Sequence, residues 1–126
     1  MFHKNNVFCD ALDVDTAGTV YSDIIDTGAA NVGDVEPLVL ELRSEAAAAG
    51  SGTLDITLQS SDSEGFSTAI DEVVIPQKDK DGLAKGVFFT GTLPYRMKRY
   101  LRLKFVVTTG FTSGTALVTG AIRARF

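Results

Sequence analysis

The chain has 126 residues, 44% of them hydrophobic and 22% charged, with a formal net charge of −4 and a single cysteine. That length suits one domain with one core, while one cysteine excludes an internal disulfide framework and no apolar run approaches the roughly 20 residues a membrane-spanning helix needs. The charge is divided along the chain: residues 1–72 hold 14 acids and 2 bases, and residues 73–126 hold 2 acids and 10 bases. Either the two halves neutralise one another across neighbouring strands, or the molecule shows a positive face to a partner.

Residues 1–18 carry Phe2, Val7, Phe8 and Leu12 among polar residues without a helical or strand period. They read as an extended N-terminal arm, followed by a single domain over residues 19–126, and as lacking the apolar stretch of a cleaved secretory signal. Two aromatics on an arm require cover, either from the domain's own core or from a neighbouring chain. Thr19 to Asp26 is rich in β-branched and aromatic residues and ends at a Thr-Gly turn, which gives a first core strand.

Residues 28–36 read as a loop closed by Pro37. Leu38, Leu40 and Leu42 then alternate with Val39, Glu41 and Arg43, a half-buried second strand. The run Glu45 to Gly52 holds four alanines, too few to nucleate a helix alone, and reads as a surface loop with at most one helical turn. Thr53 to Ser60 alternates again, with Leu54, Ile56 and Leu58 inward. Ser61 to Ser67 is a polar loop whose Phe66 caps the core edge. Thr68 to Ile75 is a strand that Pro76 closes, Gln77 to Lys85 an exposed charged loop, and Gly86 to Leu93 a strand stopped by Pro94.

The clearest alternation follows. From Tyr100, the side chains of Leu101, Leu103, Phe105 and Val107 point one way, and those of Tyr100, Arg102, Lys104 and Val106 the other. Arg96, Lys98, Arg99, Arg102 and Lys104 place five of the twelve basic residues within nine positions. A last segment, Gly114 to Phe126, puts Ala116, Val118, Ile122 and Ala124 on one side, with Gly120 permitting a bend. Seven or eight short strands between Gly- and Pro-containing turns, with no helix of ten residues, predict an all-β, jelly-roll-like β-sandwich.

Chemistry finds few footholds. Asp13, Asp15 and Gly18 match an EF-hand loop at its first, third and sixth positions, but Ala17 and Ile24 stand at the fifth and twelfth, where ligands are needed. One histidine and one cysteine cannot close a structural zinc site, and His3 and Cys9 both lie in the arm, a poor place for a positioned nucleophile. Gly50-Ser51-Gly52 leads into a strand and not into the helix a phosphate-binding loop needs. The expectation is therefore a protein that is not an enzyme, with no catalytic residue, metal or cofactor. Tyr95 and Tyr100 among the bases suit a nucleic-acid groove, yet a sequence pI near 4.8 disfavours a polyanion. An acidic protein surface is the better counterpart, since arginine forks onto carboxylates.

Taken in order, Ile25-Asp26-Thr27-Gly28, Glu36-Pro37-Leu38, the run Leu54 to Asp62 with Phe66-Ser67, Leu93-Pro94, Lys98-Arg99-Tyr100-Leu101-Arg102-Leu103, Gly114 and Val118 to Ile122 resemble the capsid cement, or decoration, proteins of short-tailed bacteriophages of the Bordetella phage type. The chain departs from that pattern at Tyr95-Arg96-Met97, where a glycine commonly precedes the Lys-Arg pair. The resemblance implies a jelly roll made in the bacterial host cytoplasm that binds the outer capsid surface of the virion, bridges major capsid protein subunits, and forms a homo-oligomer, a dimer before a trimer. It does not imply catalysis or a membrane. On this reading Arg96, Lys98, Arg99, Arg102 and Lys104 contact the capsid or a sister subunit, and Phe2, Val7 and Phe8 of the arm contact a neighbouring chain. The alternative is a small β-sandwich carbohydrate- or receptor-binding module of a phage particle, for which three tyrosines and no tryptophan are a thin supply of aromatics.

Overall fold

A computed structural model describes residues 7–26, 38–93, 98–112 and 114–124. Strand β8 (Tyr100–Thr109) takes the alternation its sequence dictates: Leu101, Leu103, Phe105 and Val107 are at most 2% exposed, while the residues between them look outward. Its neighbour β5 (Thr53–Ser61) runs antiparallel to it from Thr53 opposite Thr109 to Ser61 opposite Tyr100, and buries Leu54, Ile56 and Leu58 on the same side. Beyond β5 lies β6 (Ile70–Lys78), and along the other side of β8 lie β2 (Gly18–Tyr21) and β3 (Ile25–Asp26) end to end.

The second sheet has the order β1 (Val7–Asp13), β9 (Leu117–Ala124), β4 (Leu38–Ser44), β7 (Gly86–Thr92). Phe8, Leu40, Leu42, Val118 and Ile122 from this sheet join the β5 and β8 residues in one core. Gly120 lets the layers approach closely: a side chain there would meet Leu103 of the opposite sheet at 2.7 Å and Leu42 at 3.1 Å. With β2 and β3 taken as one interrupted strand, the eight strands follow the order of a jelly roll. The fold is thus an all-β sandwich of two antiparallel sheets, as its alternations predict.

Several expectations need correction. The segment read as an arm is, from Val7 to Asp13, a strand paired with β9. Phe8 is fully buried in the core and is not available to a neighbouring chain. The strand expected over 19–26 breaks at residues 22–24, where Leu103 N–H donates to Ser22 Oγ at 2.8 Å. Pro76 does not end its strand: β6 continues to Lys78, because an edge strand tolerates a residue without an N–H. The alanine run is a loop without a helical turn, within what its sequence led one to expect. Phe2, Arg96 and the expected loop at 28–36 lie outside the described residues.

The turn between β1 and β2 is tied to the opposite end of the chain. Asp15 accepts the Phe111 N–H on its carbonyl at 2.7 Å and the Gly114 N–H on its carboxylate at 2.7 Å. The Gly114 N–H holds the Asp15 carboxyl below the usual carboxylate range. A group with a lowered folded-state pKa adds stability that is complete above its unfolded pKa and is lost as the pH falls through the folded one. Asp15→Asn should therefore melt at a lower temperature than the wild type near neutral pH, with the two curves converging in acid. A constant offset from about pH 7 to pH 2 would assign the effect to shape alone.

Candidate functional site

The outward face of the five-stranded sheet carries two of the basic residues that the sequence singled out. β8 runs through its middle, so Arg102 and Lys104 stand on it between β5 and the β2/β3 edge. Lys98 and Arg99 lead into the same strand. Val7 and Phe8 belong to the other sheet, so the two groups of residues that sequence offered as contact sites do not form one surface.

Most of these cations already have partners within the chain. Arg99 forks onto Asp26, with Nε and Nη2 donating to the two carboxylate oxygens at 2.7 and 3.0 Å. The pairing follows from register, because β3 sets Asp26 opposite Tyr100, and the Asp26 carboxylate raises the Arg99 pKa further. Lys98 Nζ lies 3.8 Å from an Asp62 oxygen. Both pairs are substantially exposed, so they orient side chains more than they stabilise the fold.

Arg102 is held more firmly. Its guanidinium carbon lies 4.0 Å from the centre of the Tyr21 ring and 4.2 Å from that of Phe66. Its Nε donates to Gln59 Oε1 at 3.0 Å, and Gln59 Nε2 donates to Asp71 at 3.0 Å. The result is a polar row crossing β8, β5 and β6, flanked by an aromatic ring on each side of the cation. Cation–π contacts contribute about 0.5–1 kcal/mol each at partly exposed sites, and the network fixes a side chain that would otherwise sample many rotamers. Lys104 stands on the same face between Tyr21 and Thr57.

Phe66 takes a backbone conformation uncommon for a bulky residue, with φ of 52°. The loop secures it: Phe66 N–H donates to Ser63 C=O at 3.0 Å, and Ser63 and Ser67 link their hydroxyls at 3.1 Å. Strained residues persist where the surroundings over-determine them, and here the outcome is a ring laid against Arg102. Sequence reading placed Phe66 at the core edge, and it is 93% shielded, but its second role was hidden, as were those of Tyr21, Gln59 and Asp71. The available signal was register: once β5 and β8 are paired, Gln59 faces Arg102.

The patch is partly open to solvent, with Tyr21 46% exposed and Phe66 and Gln59 buried. Beside it, Ser61, Asp62, Ser63, Ser67, Thr68, Ile70 and Lys98 line a shallow hollow of about 160 Å³. A second hollow of about 190 Å³ lies between the sheets' margins, lined by Cys9, Asp10, Tyr21 and Asp23 among others. The Cys9 thiol donates to Val118 C=O at 3.4 Å, and burial pushes its pKa up to about 12, so it is not a thiolate nucleophile at neutral pH. Among the described residues, no group of three or more His, Cys, Asp or Glu side chains is arranged to hold a metal ion.

Comparison with known proteins gives a family match. The family model described as Bbp16 matches residues 8–122. No curated protein matches. Among solved structures, the chitosan-binding module 1 of a chitosanase/glucanase from Paenibacillus sp. IK-5 shares 16% identity at a TM-score of 0.46, over 93% of this chain and 74% of that one.

Proposed function

The chain belongs to the Bbp16 family, a Bordetella phage protein family, and from that premise we propose that it is a structural protein of the virion that binds the outer capsid surface and bridges major capsid subunits. The observation that carries the reading is the pre-ordered patch on β8. A sheet face with Arg102 held against Tyr21 and Phe66 is suited to another protein's surface, where tyrosine and arginine are among the residues that dominate the binding energy. A fixed arginine also loses little freedom on docking.

The proposal revises how the basic row acts. Lys98 and Arg99 are satisfied by Asp62 and Asp26, and Arg102 is hydrogen-bonded to Gln59. The patch therefore offers shape and directed donors more than free positive charge. Repetition supplies strength: many modest contacts on one shell, joined through self-association, add by avidity.

Co-sedimentation with capsids stripped of this protein tests the reading. Saturable binding with a shallow dependence on salt is expected. Arg102→Ala should weaken it by about 2 kcal/mol, roughly 30-fold, whereas Lys85→Ala on an exposed loop should not. Circular dichroism and melting keep lost folding apart from lost binding. Absence of wild-type binding at any salt would overturn the proposal, and retention on a glycan array would then favour a carbohydrate-binding module.

A further inference from the structure

Arg99 and Arg102 meet different partners. Asp26, a carboxylate, accepts from both Nε and Nη2 of Arg99. Opposite Arg102 on β5 stands Gln59, a neutral amide. The acid of that row, Asp71, is one strand further away and is held by Gln59 Nε2 at 3.0 Å. Arg99 is therefore neutralised within the chain, whereas Arg102 gives its Nε to an uncharged oxygen at 3.0 Å and keeps its charge.

A guanidinium carries five N–H donors in one plane. Tyr21 comes from β2 and Phe66 from the loop after β5, the strands on the two flanks of β8, and their rings cover Arg102 at 4.0 and 4.2 Å. With the rings over the group and Nε bonded to Gln59, the edge that remains carries Nη1 and Nη2. Those N–H groups have no acceptor among the described residues. A carboxylate approaching in the guanidinium plane meets such an edge with two parallel N–H···O bonds. Lys104, the next outward position on β8, has no ion-pair partner among the described residues either.

We propose that the Nη edge of Arg102 is a carboxylate-recognition site, which takes an Asp or Glu side chain presented by the partner protein while Lys104 adds attraction from the same face. Gln59 is its positioning residue: standing between Arg102 and Asp71, it keeps the chain's own carboxylate off the edge. A phosphate would also suit an arginine, but a nucleic acid brings many charges to a chain whose net charge is −4 and whose nearby Asp26, Asp62 and Asp71 repel them. One acidic side chain can reach the edge without meeting those acids. The inference rests on the capsid reading and gives the shell's contact its chemistry.

The test moves a charge by one strand without changing the total. Gln59→Glu combined with Asp71→Asn keeps both side-chain shapes and the net charge, and sets a carboxylate against Arg102 as Asp26 is set against Arg99. In co-sedimentation with stripped capsids, this exchanged pair should bind roughly 10- to 100-fold more weakly than the wild type, with an unchanged circular dichroism spectrum and no loss in melting temperature. Arg102→Lys is a second, independent variant that retains the charge without the fork, and it should weaken binding at least tenfold. Wild-type binding that either folded variant matches would overturn this inference and leave the capsid reading standing. Wild type that fails to bind at any salt overturns both. Retention of the wild type on immobilised DNA, lost in the exchanged pair, would give the edge to phosphate and overturn the assignment to a carboxylate.

Discussion

Replacing Phe105 with alanine should lower the folding free energy by about 3–5 kcal/mol, the range for emptying a buried aromatic site. Phe105 is fully buried and pairs with Val20 on one side and Ile56 on the other, so strands on both flanks of β8 lose a contact together. A domain has only about 5–15 kcal/mol in hand, and the variant should therefore sit close to its unfolding threshold. Lys104, one residue away on the opposite face, serves as the comparison: Lys104→Ala should stay within about 0.5 kcal/mol. Chemical denaturation of the three proteins with a shared slope measures both values. Equal losses at 104 and 105 would mean that the inward row of β8 has been misidentified.

The second large effect is expected at Gly52, where β5 begins. A methyl group there would lie 2.6 Å from the carbonyl oxygen of Thr109 and 2.8 Å from two atoms of the Phe111 ring. Side-chain ends can turn away, but this carbonyl belongs to the backbone of the β5–β8 ladder, whose rung at that point is Thr53 with Thr109. Gly52→Ala should thus cost about 1–3 kcal/mol by overpacking and open that end of the sandwich. Gly65 has no atom within 4 Å of the corresponding position, so Gly65→Ala should be nearly neutral. The pair of melting curves separates a steric requirement for glycine from a general loss of chain flexibility.

The contrast between β8 and β1 shows what the sequence could reveal. β8 keeps a strict two-residue period over its core-facing half, and β5 matches it, so both strands and their buried faces were legible. β1 buries Phe8 and Cys9 in succession and shifts register around Ala11. Those bulges erase the alternation that would have marked it, and an ordinary edge strand read as an arm. The cationic row was legible by residue type alone. Whether it faced a partner or its own chain depended on Asp26 and Gln59, which lie 73 and 43 residues from Arg99 and Arg102. Such separations are fixed by the strand order and leave no local pattern. Phe66 illustrates the same limit: its backbone conformation, not its neighbours in sequence, sets the ring against Arg102.

The pairing of β1 with β9 also governs when the molecule can form. Cys9 reaches Val118 across 109 residues of chain, and β9 sits between β1 and β4. During synthesis, β1 and β4 therefore leave the ribosome long before the strand that joins them exists. The hairpin of β5 and β6 can close early, but the four-stranded layer must wait for residues 117–124. Non-local order of this kind belongs to domains that fold in milliseconds to seconds rather than microseconds, and until that last strand arrives the apolar sides of β1 and β4 stay open to water and to other nascent chains.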